Sequence, residues 1–299
     1  MKKPIKIAFG ARKGGVGKST LCANIAGYLE EEGHKTLIVV CDDQDDLSQV
    51  YLQDSFDGIP SNPKYEKDNH NSLADVLLNG LDIHKAIYTT RDYPKYKKSA
   101  SGMRIPDRNE SIHLHILPAG KTLSEVVVPV GEDDDGNEQL IFTVLDDVLA
   151  PLYDEYEYIL FDMATSNAEY SGISLLALGS ADYVIVPLKP SPRDANSISL
   201  MADSIAKVNA AGCNTQLLGA VLNLYKKRES SKQLWLTTFR ESLGNKMFQE
   251  IIFESSDVDK AETFGVPLCS FTSSRVGNQM HRLEHEIIKK IGAYNNGKL

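Results

Sequence analysis

Cysteine is scarce in this chain. Only 4 occur in 299 residues, at Cys22, Cys41, Cys213 and Cys269, with no Cys-x-x-Cys pair and no histidine cluster beside them. That scatter argues against a disulfide framework or a zinc site and fits a reducing cytoplasm. Long apolar runs are missing as well: no stretch approaches the ~18 residues that span a bilayer. The start Met1-Lys2-Lys3-Pro4 has the charge of a signal peptide. The apolar stretch 5–9 that follows is broken by Lys6 and too short for a signal core. A soluble, cytoplasmic protein is expected. Net positive charge is absent too. With 32 basic and 41 acidic side chains the net charge is −9, so the overall field repels phosphate backbones. Any nucleic-acid contact must come from a local patch, or from one doubled by dimerisation.

What is present reads as an α/β protein. Apolar residues make up 42% of the chain, enough for a sizeable core. Repeats and long Pro/Gly/Ser linkers are lacking, so residues 1–299 are read as a single domain. Short apolar runs expected as strands lie at 5–9, 36–41, 112–117, 158–161, 183–187, 217–222 and 247–252. They alternate with helical periodicity at 19–32, 140–149, 195–210, 231–243 and 278–291. The alternation predicts a mostly parallel central sheet flanked by helices on both faces. Gly33 stands where a helix C′ glycine belongs. Polar insertions are expected on the surface at 53–71 and 91–111, and the run Glu132-Asp133-Asp134-Asp135-Gly136 reads as an acidic loop.

The chemistry begins after the first strand. Lys13-Gly14-Gly15-Val16-Gly17-Lys18-Ser19-Thr20 joins a strand to an amphipathic helix. Glycines there let backbone N–H groups turn inward around phosphates at a helix N-terminus. Lys18 is placed to reach the β- and γ-phosphates and the Ser19 hydroxyl to ligate Mg²⁺. The strict pattern G-x-x-x-x-G-K-[ST] fails at Arg12. Two strand ends supply carboxylates. One is Asp42, followed by Asp43-Gln44-Asp45-Asp46. The other is Asp162, closing Tyr158-Ile159-Leu160-Phe161, where it would hold Mg²⁺. Asp43, Asp45 and Asp46 read as a solvated acidic turn, because more carboxylates facing ATP would repel its phosphates.

The loop from Lys13 to Ser19 resembles the deviant Walker A motif, K-G-G-x-x-K-[ST], of the ParA/MinD group of P-loop ATPases. That family often lacks the first glycine, so Arg12 is tolerated. From the residues alone Lys13 reads equally as a solvated loop lysine. The resemblance gives it another role, reaching across an ATP-sandwiched dimer to the partner's phosphates. The segment Asp42 to Ser48 resembles the family's D-x-D-P-Q-G-N-L-[ST], which puts Asp42 near the γ-phosphate to position water. Val40, Asp43, Asp45 and Asp46 depart from that pattern, as does Ala164-Thr165 in the loop after Asp162. Ala181-Asp182-Tyr183-Val184-Ile185-Val186-Pro187 and Phe264-Gly265-Val266-Pro267 are similar to later family segments, so the likeness runs from residue 5 to about 290.

By resemblance to ParA, the chain is expected to be a DNA segregation ATPase. It would dimerise on ATP, bind nonspecific DNA, be stimulated by a ParB-like partner and associate with the nucleoid. Lys226, Lys227 and Arg228 are the DNA-contact residues expected on this reading, with a solvated helix start as the alternative. The stretch 91–111, rich in Lys and Arg, reads more readily as a flexible loop. A MinD-like membrane ATPase would need a basic C-terminal anchor. His281, Glu284 and Glu286 dilute the segment before Ile287-Ile288-Lys289-Lys290-Ile291, so a terminal helix packed on the sheet is expected instead. Two rivals remain. An iron–sulfur relative would need cysteines just beyond Asp162, where none occur, and a weakly hydrolysing scaffold would merely dock partners. No helix-turn-helix precedes the loop.

Overall fold

The computed structural model describes residues 3–53, 61–67, 69–98, 104–132, 136–165, 171–191, 194, 196–226, 230–271 and 274–297. The strands are β1 (Ile5–Phe9), β2 (Thr36–Cys41), β3 (Tyr88–Thr89), β4 (Tyr93–Lys98), β5 (Arg104–Ile112), β6 (His115–Leu117), β7 (Val130–Glu132), β8 (Glu138–Leu140), β9 (Tyr158–Met163), β10 (Tyr183–Leu188), β11 (Gln216–Tyr225) and β12 (Met247–Phe253). The helices are α1 (Lys18–Glu31), α2 (Asp46–Leu52), α3 (Leu73–Asn79), α4 (Val144–Leu149), α5 (Gly172–Ser180), α6 (Ser197–Ala210), α7 (Ser230–Leu243), α8 (Ser256–Thr263) and α9 (Arg275–Asn295).

An 8-stranded sheet in the order β12-β11-β10-β1-β9-β2-β6-β3 forms the spine. Its pairs are parallel except for the edge strand β3, which runs antiparallel to β6. Every residue of β2, β9 and β10 is buried. Strands covered on both faces must be apolar throughout, and for that reason they read as unbroken runs in the sequence. On one face α1 packs against β2 and β9 and is crossed by α9; on the other α5 and α6 cover β1, β9, β10 and β11. The apolar side of α9, including Met280, Leu283, Ile287 and Ile291, is buried. The terminal helix is thus seated in the core, as expected.

Four expected features need correction. The expected strand 112–117 is split: Ile112 ends β5, and only 115–117 joins the main sheet as β6. The supposed loop at 91–111 contains an antiparallel hairpin, β4 with β5. Tyr93 anchors it, fully buried, with its hydroxyl donating to the Gly265 carbonyl at 2.7 Å. The acidic loop is flanked by a second hairpin, β7 with β8. Helix α4 also starts later than expected, at Val144. Gly33 does end α1 in the left-handed region, at φ 94°, where a side chain would be strained.

Candidate functional site

The C-terminal ends of the central strands converge where the sheet order reverses around β1, and the crevice outside such ends is where α/β sheets take ligands. The glycine-rich turn after β1 lies there. Gly17 precedes α1 at φ 84°, and no side chain caps the helix. A side chain at Gly17 would be strained and its Cβ would sit 2.3 Å from Asn223 Nδ2. Asn223, on β11, donates from Nδ2 to the Val16 carbonyl at 2.8 Å and braces the loop from below. The first N–H groups of α1 are therefore left to a ligand, and the helix dipole favours an anion at that end. Lys18, the first helical residue, is buried.

A cleft of about 360 Å³ opens over this loop. Gly14, Gly15, Gly17, Lys18, Ser19 and Thr20 line one side, and Asp42, Gln44, Thr165 and Glu262 face them. Val16 is buried beneath the loop, and Lys13 is not part of this lining. Thr20 donates its hydroxyl to Glu262 Oε1 at 2.7 Å, fastening α1 to α8 at the rim. Burial pushes the Glu262 carboxyl up, and this hydrogen bond opposes the shift.

Asp162 sits under the loop. Its register, opposite Phe9 of β1 and Val40 of β2, places it between the two strands that carry the turns of the cleft. It is 1% exposed, and Oδ1 has no hydrogen-bond partner in the described structure. Burial pushes its carboxyl up to about 7, against the opposing influence of the Lys18 charge and the Ser19 hydroxyl; Asp42 and Asp45 push it further up. A buried carboxylate oxygen without a partner is costly. A hard cation with oxygen ligands satisfies such an atom. Ser19 and Asp162 together therefore fit a Mg²⁺ site.

Asp42 follows the end of β2 and is half-buried. Its Oδ1 accepts the Gln44 N–H at 3.1 Å. Burial raises its carboxyl, the Gln44 N–H and Lys18 lower it, and Asp43 and Asp46 raise it again. The expectation of a solvated acidic turn holds for Asp43 and fails for Asp45. Asp43 is exposed, and Asp46 is exposed but borders the cleft. Asp45 is 7% exposed and takes a left-handed conformation at φ 52°. Its Oδ1 accepts the Ala119 N–H at 3.2 Å and its Oδ2 the Tyr65 hydroxyl at 3.2 Å. His70 Nε2 stands 3.8 Å from Oδ2. The physical reason for the error is long-range: these partners come from the 53–71 insertion and the segment just after β6, and together they replace water around the carboxylate.

Comparison with known proteins settles the family. An AAA-domain family model (AAA_31) matches residues 5–218. The chromosome-partitioning ATPase Soj of Treponema pallidum is 26% identical over 289 residues, covering 96% of this chain and 98% of Soj. An ATP complex of a Cyanothece McdA variant has a TM-score of 0.70 at 16% identity, over 98% of both chains. Cobyrinic acid a,c-diamide synthase from Mycobacterium smegmatis, solved with an ATP analog and magnesium, has a TM-score of 0.68 at 19% identity, over 98% of this chain and 96% of that one. The chain belongs to the ParA family of P-loop ATPases. The two structures, at such low identity, speak for the shared fold.

In this ParA-family chain the deviant lysine has a partner of its own. Lys13 Nζ lies 3.8 Å from Oδ2 of Asp194, a buried residue that also accepts the Ser191 hydroxyl. Arg12, in place of the usual first glycine, reaches α6 and donates from Nη2 to Ser204 Oγ at 3.2 Å. Of the basic residues expected to contact DNA, Lys226 pairs with Glu254 at 2.9 Å on the surface. Lys227 and Arg228 lie outside the described residues. Asn223, Glu262 and Asp45 were not found by sequence reasoning. For Asp45 a signal existed: Asp and Asn are the side chains that tolerate left-handed backbone in turns.

Proposed function

We propose that this chain is a segregation ATPase that binds ATP with Mg²⁺, dimerises on it, and as a dimer binds nonspecific DNA. The observation that carries the reading is an uncapped helix N-terminus next to two carboxylates of different character, Asp42 on the wall of the cleft and Asp162 buried under the loop. Gly14, Gly15 and Gly17 with Lys18 take the phosphates, and Ser19 with Asp162 hold the metal. Thr20 and Val16 complete the cradle from the rim and from beneath. Bound there, Mg²⁺ offsets the charge that builds on the β- and γ-phosphate oxygens. Asp42 orients the attacking water, since it faces the loop across the cleft while Asp43 turns to solvent. Catalysis of this kind is positioning plus electrostatics, so the fixed turn that carries Asp42 matters as much as the acid itself.

Lys13 leaves Asp194 in the dimer and reaches the partner's phosphates. A lysine held 3.8 Å from a carboxylate, beyond close hydrogen-bond distance, is ready for exchange with phosphate oxygens, which take charge-assisted hydrogen bonds from lysine. Lys226, Lys227 and Arg228 supply the DNA contacts, doubled by the two-fold axis, and a ParB-like partner stimulates hydrolysis. The burial of the apolar side of α9 supports DNA over a membrane surface as the target. In a co-sedimentation assay with nonspecific DNA, pelleting should require ATP and weaken as salt rises. Pelleting indifferent to nucleotide contradicts the reading, and ATP-dependent recruitment to liposomes in its place favours a MinD-type ATPase.

A further inference from the structure

Helix α1 carries the phosphate loop at its start and a different cluster at its end. Glu32 caps the C-terminus of α1, and His281 and His285 lie on α9 where the two helices pack. One ligand atom from each of the three lies within 4.8 Å of the others. We propose that Glu32, His281 and His285 form a binding site for a borderline divalent cation such as Zn²⁺, stapling the end of α1 to α9.

Spacing, tautomer and support all argue for it. Histidines four apart share one helix face, a common arrangement for paired metal ligands. His281 Nε2 is 2.9 Å from Glu32 Oε1, whereas two ligands of a tetrahedral Zn²⁺ with bonds near 2.1 Å stand about 3.4 Å apart. A cation therefore enters between them with about half an ångström of opening. His285 Nδ1 lies 3.0 Å from the His281 carbonyl and 2.8 Å from Glu284 Oε2. The His281 carbonyl can only accept, so the proton lies on Nδ1 of His285 and the lone pair on Nε2. Glu284 is 1% exposed, and a buried carboxylate behind a ligating histidine is the outer support that metal sites use to fix ring orientation. The fully buried Tyr28 stacks on His281 at 5.0 Å and 9°, which fixes the second ring from below. In the sequence, His281-Arg282-Leu283-Glu284-His285 carries the i, i+4 histidine spacing with no cysteine beside it. The 14 residues of α1, at 1.5 Å each, put about 20 Å between this cluster and Lys18, so the two sites do not share atoms.

The test is titration of the full chain with Zn²⁺ followed by melting temperature, and with Co²⁺ followed by its visible ligand-field spectrum. One equivalent of Zn²⁺ should raise the melting temperature, and Co²⁺ should show the intense bands of a four-coordinate site. Glu32→Gln and His285→Asn, both at exposed positions, should each weaken binding by at least the roughly tenfold to hundredfold seen when outer supports are removed. Cys213→Ser and Lys18→Ala should leave it unchanged. Absence of stoichiometric binding, binding that survives Glu32→Gln and His285→Asn, or binding lost in Cys213→Ser overturns the proposal.

Discussion

The two turns that face each other across the cleft are built in opposite ways. The loop 13–20 leaves the first N–H groups of α1 without a side-chain cap, and among the described residues Asp162 Oδ1 has no partner. The turn 42–46 is closed on itself and on the rest of the chain, with Asp45 clasped by Ala119, Tyr65 and His70. One side spends stability to stay open for a ligand. The other holds Asp42 in place. The fixed side also explains how a turn that departs from the family pattern at Asp43, Asp45 and Asp46 still presents Asp42 to the cleft: Asp45 serves as an internal anchor for the insertion rather than as a further charge beside the phosphates.

Substitutions should separate the two sides. The largest effect is expected from Lys18→Ala, which should abolish ATP binding and lower phosphate release at least ~100-fold while leaving the melting temperature of the nucleotide-free chain nearly unchanged; equilibrium dialysis with ATP and a melting curve check both. Asp45→Ala should do the reverse in kind. It leaves the Ala119 N–H and the Tyr65 hydroxyl without their acceptor and puts Ala in a left-handed backbone, so a loss of about 2–4 kcal/mol is expected in urea unfolding.

Asp162 tests the open side by pH. Its folded carboxyl, pushed up to about 7, lies above its unfolded value, so the folded state holds the proton more tightly. Its stabilising contribution is present at acid pH and is lost as pH rises through the range up to about 7. Without ligand, Asp162→Asn should therefore be more stable than the unmodified chain at pH 8, by about 2–4 kcal/mol at most, and so melt higher there and equal it near pH 4. Equal melting at both pH values would show that the open side carries no such cost. The smallest change is Tyr65→Phe, which removes one hydrogen bond to Asp45 and should cost about 1 kcal/mol with ATP affinity intact, read by urea unfolding and dialysis.

The open side was legible in the sequence and the clasp was not. A phosphate loop is local: the glycines, Lys18 and Ser19 are contiguous, and the apolar strand before them and the helix after them have clear periodicity. Asp162 stands out because the apolar run Tyr158-Ile159-Leu160-Phe161 leads straight into it, although β9 runs one residue further, to Met163. Asp45 joins residues 20 and 74 positions away, and nothing in its neighbours announces them. The short helices α2, α3, α5 and α8 were missed since two turns give little periodicity. Yet the start of α3 carried a signal: Ser72 accepts the Asp75 N–H and donates its hydroxyl to the Asp75 carboxylate at 2.5 Å, a serine N-cap three residues before an acid. The hairpin of β4 and β5 was hidden by its lysines. Its anchor Tyr93 is tied to Gly265, 172 residues on.

On the proposed reading, the clasped turn aims Asp42 at water beside the γ-phosphate. Single-turnover phosphate release from the Mg²⁺–ATP complex of Asp42→Ala, with ATP affinity measured in parallel, tests it most directly. Release should fall by about 100-fold or more with ATP affinity kept. Release at the rate of the unmodified chain, with ATP still bound, would contradict it.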